Sequence, residues 1–178
     1  MHAWIQMEKK GILSARDVKE GKVAKIRENM KRMGYDPVLT KVWDATREDK
    51  EFYEKADVIL ADVPCSGLGI IGKKPEIKYH GLELAEELVP LQRKICERSL
   101  PMLKLGGVFI YSTCTINPGE NQENVAWLVE HFDLETESLD PYLPEELQNK
   151  MTGQGMLQML PGIMESDGFF VARLRKRG

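Results

Sequence analysis

The sequence predicts one α/β domain over residues 1–178, built on a mostly parallel sheet. Three observations predict it. Short apolar, β-branched runs alternate with longer segments whose apolar residues recur at helical spacing. Glycine and proline punctuate the boundaries between them. Polar or reactive side chains stand directly after four of the runs, where open α/β sheets bind their ligands.

Residues 12–18 (I-L-S-A-R-D-V) read as a short strand after a turn at Gly11. Residues 22–33 place Val23, Ile26 and Met30 at helical spacing and stop at Gly34, which predicts a helix. Residues 37–42 form a second strand. Residues 57–61 (D-V-I-L-A) are apolar and β-branched, the pattern of a buried parallel strand. A long polar loop follows over 64–81. Residues 83–104 repeat apolar side chains at helical spacing, with Pro90 marking a break and Pro101 an end. Gly106-Gly107 turns into a strand over 108–112. Asn117-Pro118 opens a helix to about His131, Pro118 suiting its first turn. Residues 132–138 and 169–175 make the last two strands.

At 178 residues, 42% apolar and 30% charged, the chain supports one soluble domain with a real core. No apolar run approaches the ~18 residues that span a bilayer, and no signal-peptide pattern opens the chain, so a cytoplasmic protein with no membrane partner is expected. Three cysteines without a secretory signal fit a reducing compartment. A net charge of -3 is mildly unfavourable for nucleic acid. Basic residues do cluster at Lys22, Lys25, Arg27, Lys31 and Arg32, and again at Arg173, Arg175, Lys176 and Arg177. A solvated helix face and a soluble tail account for both.

Asp17 ends the first strand and Asp44 follows the second, in V-W-D-A. A carboxylate there either caps the next turn or, at Asp17, accepts from the hydroxyls of a nucleotide ribose. Cys65 and Cys114 follow neighbouring strands and should face one crevice. Such thiols serve as buried hydrophobes, a disulfide or zinc ligands. Zinc lacks a C-x-x-C or a histidine pair, so no metal is expected. Cys96, on the apolar face of a helix, reads as core. Cys65 and Cys114 instead lie among turn-forming and hydroxyl residues, reachable and beside Asp62, which points to covalent catalysis.

The motifs together are more specific. They are D-V-P-C-S-G-L-G (62–69), K-P-E-I-K-Y (74–79), Y-S-T-C-T (111–115), N-P-G-E-N (117–121), and L-P-G followed by D-G-F-F (160–170). In this order, over essentially the whole chain, they resemble the bacterial Sun/Fmu (RsmB-type) family of 16S ribosomal RNA cytosine-5 methyltransferases. Val63 stands where alanine is usual and Tyr79 where tryptophan is usual. The family's Gly-rich cofactor loop and N-terminal RNA-recruiting domain have no counterpart here, so the chain reads as a catalytic fragment truncated at the N-terminus.

The resemblance implies a Rossmann-like class I methyltransferase sheet with an antiparallel last strand, S-adenosylmethionine as cofactor and 16S ribosomal RNA as partner. It implies Cys114 as the nucleophile that adds to carbon 6 of cytosine. Asp62 would hold ring nitrogen 3, its pKa raised by its surroundings. Cys65 would serve release of the product, on a turn fixed by Pro64. DNA cytosine methyltransferases instead attack with the cysteine of the Pro-Cys motif. Asp17 and Asp44 match contacts to the cofactor ribose and adenine region, and Asp62 and Pro64 border the same cofactor. The target base must leave its stack to reach a thiol. Lys73, Lys74 and Lys78 read equally as phosphate contacts or as a solvated loop. Two alternatives stay open: the same reaction on transfer RNA, and a folded remnant that neither binds nor catalyses. Without the loop, cofactor binding by this chain is expected to be weak. The missing first strand belongs between the strands ending at Asp17 and Asp62. Either those two strands close on each other, or a second copy fills the edge as a homodimer, or the N-terminal part is not well ordered; the apolar 12–18 run favours the first two.

Overall fold

The computed structural model describes residues 2–35, 38–79 and 81–178. They fall into two units, Met1–Arg47 and Glu48–Gly178. The first unit holds helix α1 (His2–Gln6), strand β1 (Leu13–Asp17), helix α2 (Glu20–Arg32) and strand β2 (Val38–Val42). β1 and β2 pair in parallel, with Asp17 opposite Val42. A parallel pair needs a crossover, and α2 supplies it. Val23 and Met30 of its apolar stripe are buried, and Met30 packs with Trp4, Tyr35 and Val38. Glu20 in the first turn and Lys31 and Arg32 in the last suit the helix dipole. The expected helix and both strands are present. Pro37, the expected opening of the second strand, lies outside the described residues.

The second unit runs β3 (Ala56–Asp62), α3 (Gly81–Ser99), β4 (Leu103–Thr113), α4 (Gln122–His131), β5 (Leu134–Thr136), α5 (Lys150–Gly153), β6 (Met156–Met159) and β7 (Phe169–Lys176). Its sheet has the order β3-β4-β7-β5, with β6 also on β7. β3 and β4 are parallel, whereas β7 is antiparallel to β4, β5 and β6. Every strand but the last therefore runs one way, as expected. β5 and β6 share one edge of β7 end to end, facing Leu174–Lys176 and Phe169–Ala172 respectively. The core is centred on β4 and β7, where Phe109, Tyr111, Phe170 and Leu174 are wholly buried. Among the described residues no helix is long and apolar enough to cross a membrane.

Four details depart from the sequence reading. β3 is parallel but not buried: it pairs with β4 alone among the described residues, and Val58 and Leu60 are 55% and 62% exposed. Its apolar run records affinity for a neighbour, not the presence of one. Pro90 does not break α3, which continues through it. Gly106-Gly107 is no turn before a strand. β4 begins at Leu103, and its register against β3 jumps between Ala56↔Leu103 and Val58↔Val108, so the glycines sit in a bulge where Gly106 takes φ 72°. The strands ending at Asp17 and Asp62 belong to different sheets, so they do not close on each other.

The basic C-terminal strand is neutralised from within. Arg173 and Arg175 both grip Glu137, Arg177 pairs with Glu135, and the Lys176 ammonium donates to the Leu103 carbonyl. The cluster is therefore not a soluble tail: Arg173, Arg175 and Lys176 lie in β7 and are paired there.

Candidate active site

Two irregular segments converge at the carboxyl ends of β3 and β4. The first continues β3: the Val63 amide still donates to the Ser112 carbonyl at 3.2 Å, and Gly67, at φ 73°, turns the chain back. Pro64 gives this turn its stiffness, and its carbonyl accepts from Gln92 Nε2 of α3 at 2.9 Å. The second continues β4 through Cys114. Asn121 holds it on both sides, accepting from Thr113 Oγ1 at 2.6 Å and donating to the Thr115 carbonyl at 3.0 Å.

These turns place the Cys65 and Cys114 sulfurs 3.3 Å apart, as free thiols, both half-buried. That distance is a hydrogen bond between sulfurs and far longer than the ~2.05 Å of a disulfide. The proton has a preferred place. The hydrogen bond to Cys114, followed by burial, pushes the Cys65 thiol up and keeps it protonated. The same hydrogen bond, received, draws Cys114 down to about 7, against burial and the Asp62 carboxylate, with Lys74 assisting. With Cys65 as the donor, Cys114 becomes the more acidic thiol of the two. Cys96 differs: wholly buried, it is pushed up to about 12 by desolvation, as a core thiol should be.

Asp62 ends β3 and is exposed, not enclosed; Ser112 Oγ reaches it at 3.4 Å. Lys73 is engaged by Asp167 at 2.5 Å, while Lys74 and Lys78 are exposed. A concavity of this unit, lined by Tyr53, Leu100, Pro101 and Phe132, holds neither cysteine. The chemistry, not the depth of a cleft, locates the site.

In the first unit, Asp17 Oδ1 accepts the Lys19 amide at 2.8 Å, and its other oxygen lies 3.3 Å from the Lys22 ammonium. Asp44 Oδ1 accepts from the Thr46 amide and hydroxyl at 2.9 and 2.7 Å, with Arg47 at 3.6 Å. Both carboxylates thus serve local turns; Asp17 is the last residue of β1, and Asp44 follows β2 by two residues. The structure brings together Asp62, Pro64, Cys65 and Cys114 in one unit, and places Asp17 and Asp44 in the other.

What sequence reasoning missed lies behind the sulfurs. Glu120, in the N-P-G-E-N motif, is wholly buried and accepts from the Ser66 amide and hydroxyl at 2.8 and 2.5 Å and from Gln92 Nε2 at 2.9 Å. Ser66 Oγ meets Thr115 Oγ1 at 2.8 Å, so the residue after one cysteine touches the residue after the other. A third motif closes the site. The Gly69 amide donates to the Cys114 carbonyl at 3.1 Å, and the Gly168 amide donates to the Gly69 carbonyl at 2.8 Å. A Cβ on Gly69 would lie 2.3 Å from the Gly168 oxygen, so only glycine permits this approach.

Comparison with known proteins identifies the family and the fold. The family described as 16S rRNA methyltransferase RsmB/F matches residues 2–175. A probable ribosomal RNA small subunit methyltransferase B of Bacillus subtilis is 37% identical over 97% of the chain, which spans 39% of that relative. A ribosomal RNA small subunit methyltransferase F of Shewanella woodyi is 36% identical over 96% of the chain and 36% of its own length. The crystal structure of NSun6 from Pyrococcus horikoshii with SFG superposes with a TM-score of 0.81 at 27% identity, covering 99% of this chain and 44% of that one. The fold is that of the class I methyltransferases.

Proposed function

Since the chain belongs to the RsmB/F family of 16S rRNA methyltransferases, we propose that it carries the residues that methylate carbon 5 of a cytosine in 16S ribosomal RNA through a covalent Cys114 adduct. The observation that carries this reading is the sulfur pair: two free thiols 3.3 Å apart on the segments that continue β3 and β4, next to Asp62. Carbon 5 of cytosine is a poor nucleophile. Addition of the Cys114 thiolate to carbon 6 pushes an electron pair through the ring to nitrogen 3, which takes a proton, and leaves carbon 5 enamine-like. Asp62, at the end of β3 beside this pair, is the group assigned to that proton. A base seated over the exposed carboxyl would desolvate it in the complex.

S-adenosylmethionine, the cofactor that the family implies, supplies the methyl group as an electrophile. The acceptor oxygens of Asp17, at the end of β1, and Asp44, just beyond β2, fit its ribose hydroxyls and the amino edge of its adenine. After transfer a solvent water takes the carbon 5 proton, and the pair it frees re-forms the carbon 5–carbon 6 double bond. The carbon 6–sulfur bond breaks with its pair returning to Cys114, and nitrogen 3 gives its proton back to Asp62. The Cys65 thiol, donating to that sulfur, stabilises the departing thiolate. Attack and release therefore belong to different cysteines.

A test replaces the matching segment of the Bacillus subtilis relative with this chain and follows RNA and cofactor on a denaturing gel. Cys114→Ala should abolish methylation and the covalent adduct. Cys65→Ala should accumulate the adduct and fail to release it. Trapping by Cys114→Ala and not by Cys65→Ala reverses the assignment, and methylation unaffected by either change sinks it.

A further inference from the structure

We propose that Glu120 is the positioning residue that holds Cys65 against Cys114, acting through the Ser66 turn. The proposal rests on the reading of the two cysteines as a working pair. Neither cysteine lies in regular structure, since β3 ends at Asp62 and β4 at Thr113. Their separation must be set by something other than the sheet ladder. The Glu120 carboxylate is where the constraints on both sides of Cys65 meet. It takes the amide and hydroxyl of Ser66, the residue next to Cys65, and the amide group of Gln92, which also holds the Pro64 carbonyl on the other side of the same cysteine.

The chain of donors is directional. Ser66 has one hydroxyl proton, and it goes to Glu120 Oε2. The Thr115 hydroxyl must therefore donate to Ser66 Oγ, while itself accepting the Asn117 amide at 3.2 Å. The loop of Cys114 thus hangs on the loop of Cys65 through a proton order that Glu120 dictates. Behind it, Gln92 and the Tyr111 hydroxyl are fixed in turn: Asn124 donates to Gln92 Oε1 at 2.7 Å and Tyr111 donates to the Glu120 carbonyl at 2.6 Å. Gln92, Tyr111, Glu120 and Asn124 are all buried. A fully satisfied buried network of this kind specifies one geometry, where apolar packing tolerates several.

The experiment measures alkylation of Cys114 by iodoacetamide in the 178-residue chain, resolved by peptide mass spectrometry, with circular dichroism as the fold check. Returning Cys114 from about 7 to the ordinary 9.0 cuts the thiolate fraction at pH 7 about fiftyfold. The higher nucleophilicity of the more basic thiolate restores about eightfold, leaving a net fall of about sixfold. Cys65→Ala should show this fall directly. Glu120→Ala should match it, whereas Glu120→Gln should stay near the parent rate. Its amide oxygen still accepts from the Ser66 amide and Gln92, and its amide nitrogen donates to Ser66 Oγ. The Ser66 hydroxyl proton then turns to Thr115 Oγ1, so the Ser66–Thr115 link survives with its direction reversed.

A merely structural role would lower stability without slowing Cys114 in the folded protein. A folded Glu120→Ala protein alkylated at the parent rate overturns the proposal. If Glu120→Ala does not fold, Glu120→Asp carries the test, since it keeps the charge and loses only reach; an unchanged rate there is equally fatal. An unchanged rate in Cys65→Ala overturns the pair and the proposal with it. Failure of the proposed function is seen separately. A graft that forms no RNA adduct, beside a Glu120→Ala chain with slowed alkylation, rejects the reaction and leaves Glu120's role standing.

Discussion

Gly69 and Gly168 cross at close backbone range in the second unit, and Gly69→Ala tests what the crossing does. The added methyl would lie 2.3 Å from the Gly168 oxygen, 2.7 Å from its carbonyl carbon and 2.8 Å from the Cys114 oxygen. All three are backbone atoms, so no side-chain rotation relieves the overlap. Moving Gly168 away breaks its hydrogen bond to Gly69, and moving Gly69 breaks its bond to Cys114. Each bond contributes about 0.5–1.5 kcal/mol, and forced repacking costs about 1–3 kcal/mol. The substitution should destabilise the chain by about 2–4 kcal/mol in urea unfolding. Hydrogen exchange should localise the damage, with the Gly168 amide losing protection before those of β4 and β7. A Gly69→Ala chain within about 0.5 kcal/mol of the parent, with the Gly168 amide still protected, would show that the crossing constrains nothing.

Two further outcomes follow from the charges. Alkylation of Cys114 in the parent chain should rise with pH through a midpoint of about 7, because the thiolate reacts and the Cys65 hydrogen bond favours it; a midpoint near 9 contradicts the sulfur pairing. Glu137→Gln should lower stability by about 1 kcal/mol at neutral pH. Arg175 foremost, then Arg173, holds the Glu137 carboxyl below its ordinary value. Its contribution is therefore present above the unfolded pKa of about 4.3 and disappears as pH falls through the folded value. The parent and Glu137→Gln should converge in thermal stability at low pH, and a constant gap from pH 7 to pH 2 refutes the assignment.

Much of the fold was legible because local chemistry repeats. β-branched runs at 12–18 and 57–61 became β1 and β3, and the helical spacing of Val23, Ile26 and Met30 became α2. What escaped depends on distant neighbours. Pro90 has the sequence signature of a break, yet α3 carries it, with Gln92 two residues on held by Glu120 and Pro64. β6, Met-Leu-Gln-Met, has no β-branched residue and forms only because the Phe169–Ala172 edge of β7 is there to pair with. Leu60 reads as core and is exposed, since strand composition records what a face could bury and not what lies against it.

The site divides in the same way, and the division has a physical cause. Cys65 and Cys114 were legible because a thiol among glycine, proline and hydroxyl residues is chemically out of place in a core. Glu120, Gln92 and Asn124 were not, because each is an ordinary polar residue of a helical stretch until three elements bury it. That burial is what makes them useful. An irregular turn offers too little apolar surface to be indexed by burial, whose energy is non-directional. Hydrogen bonds to a buried carboxylate depend steeply on distance and angle and cannot be exchanged for water. A pair of sulfurs that must first share a proton and later part from a substrate needs positional accuracy of that order. The polar residues stand behind the thiols for the same reason that they look unremarkable in the sequence: their role is to be enclosed.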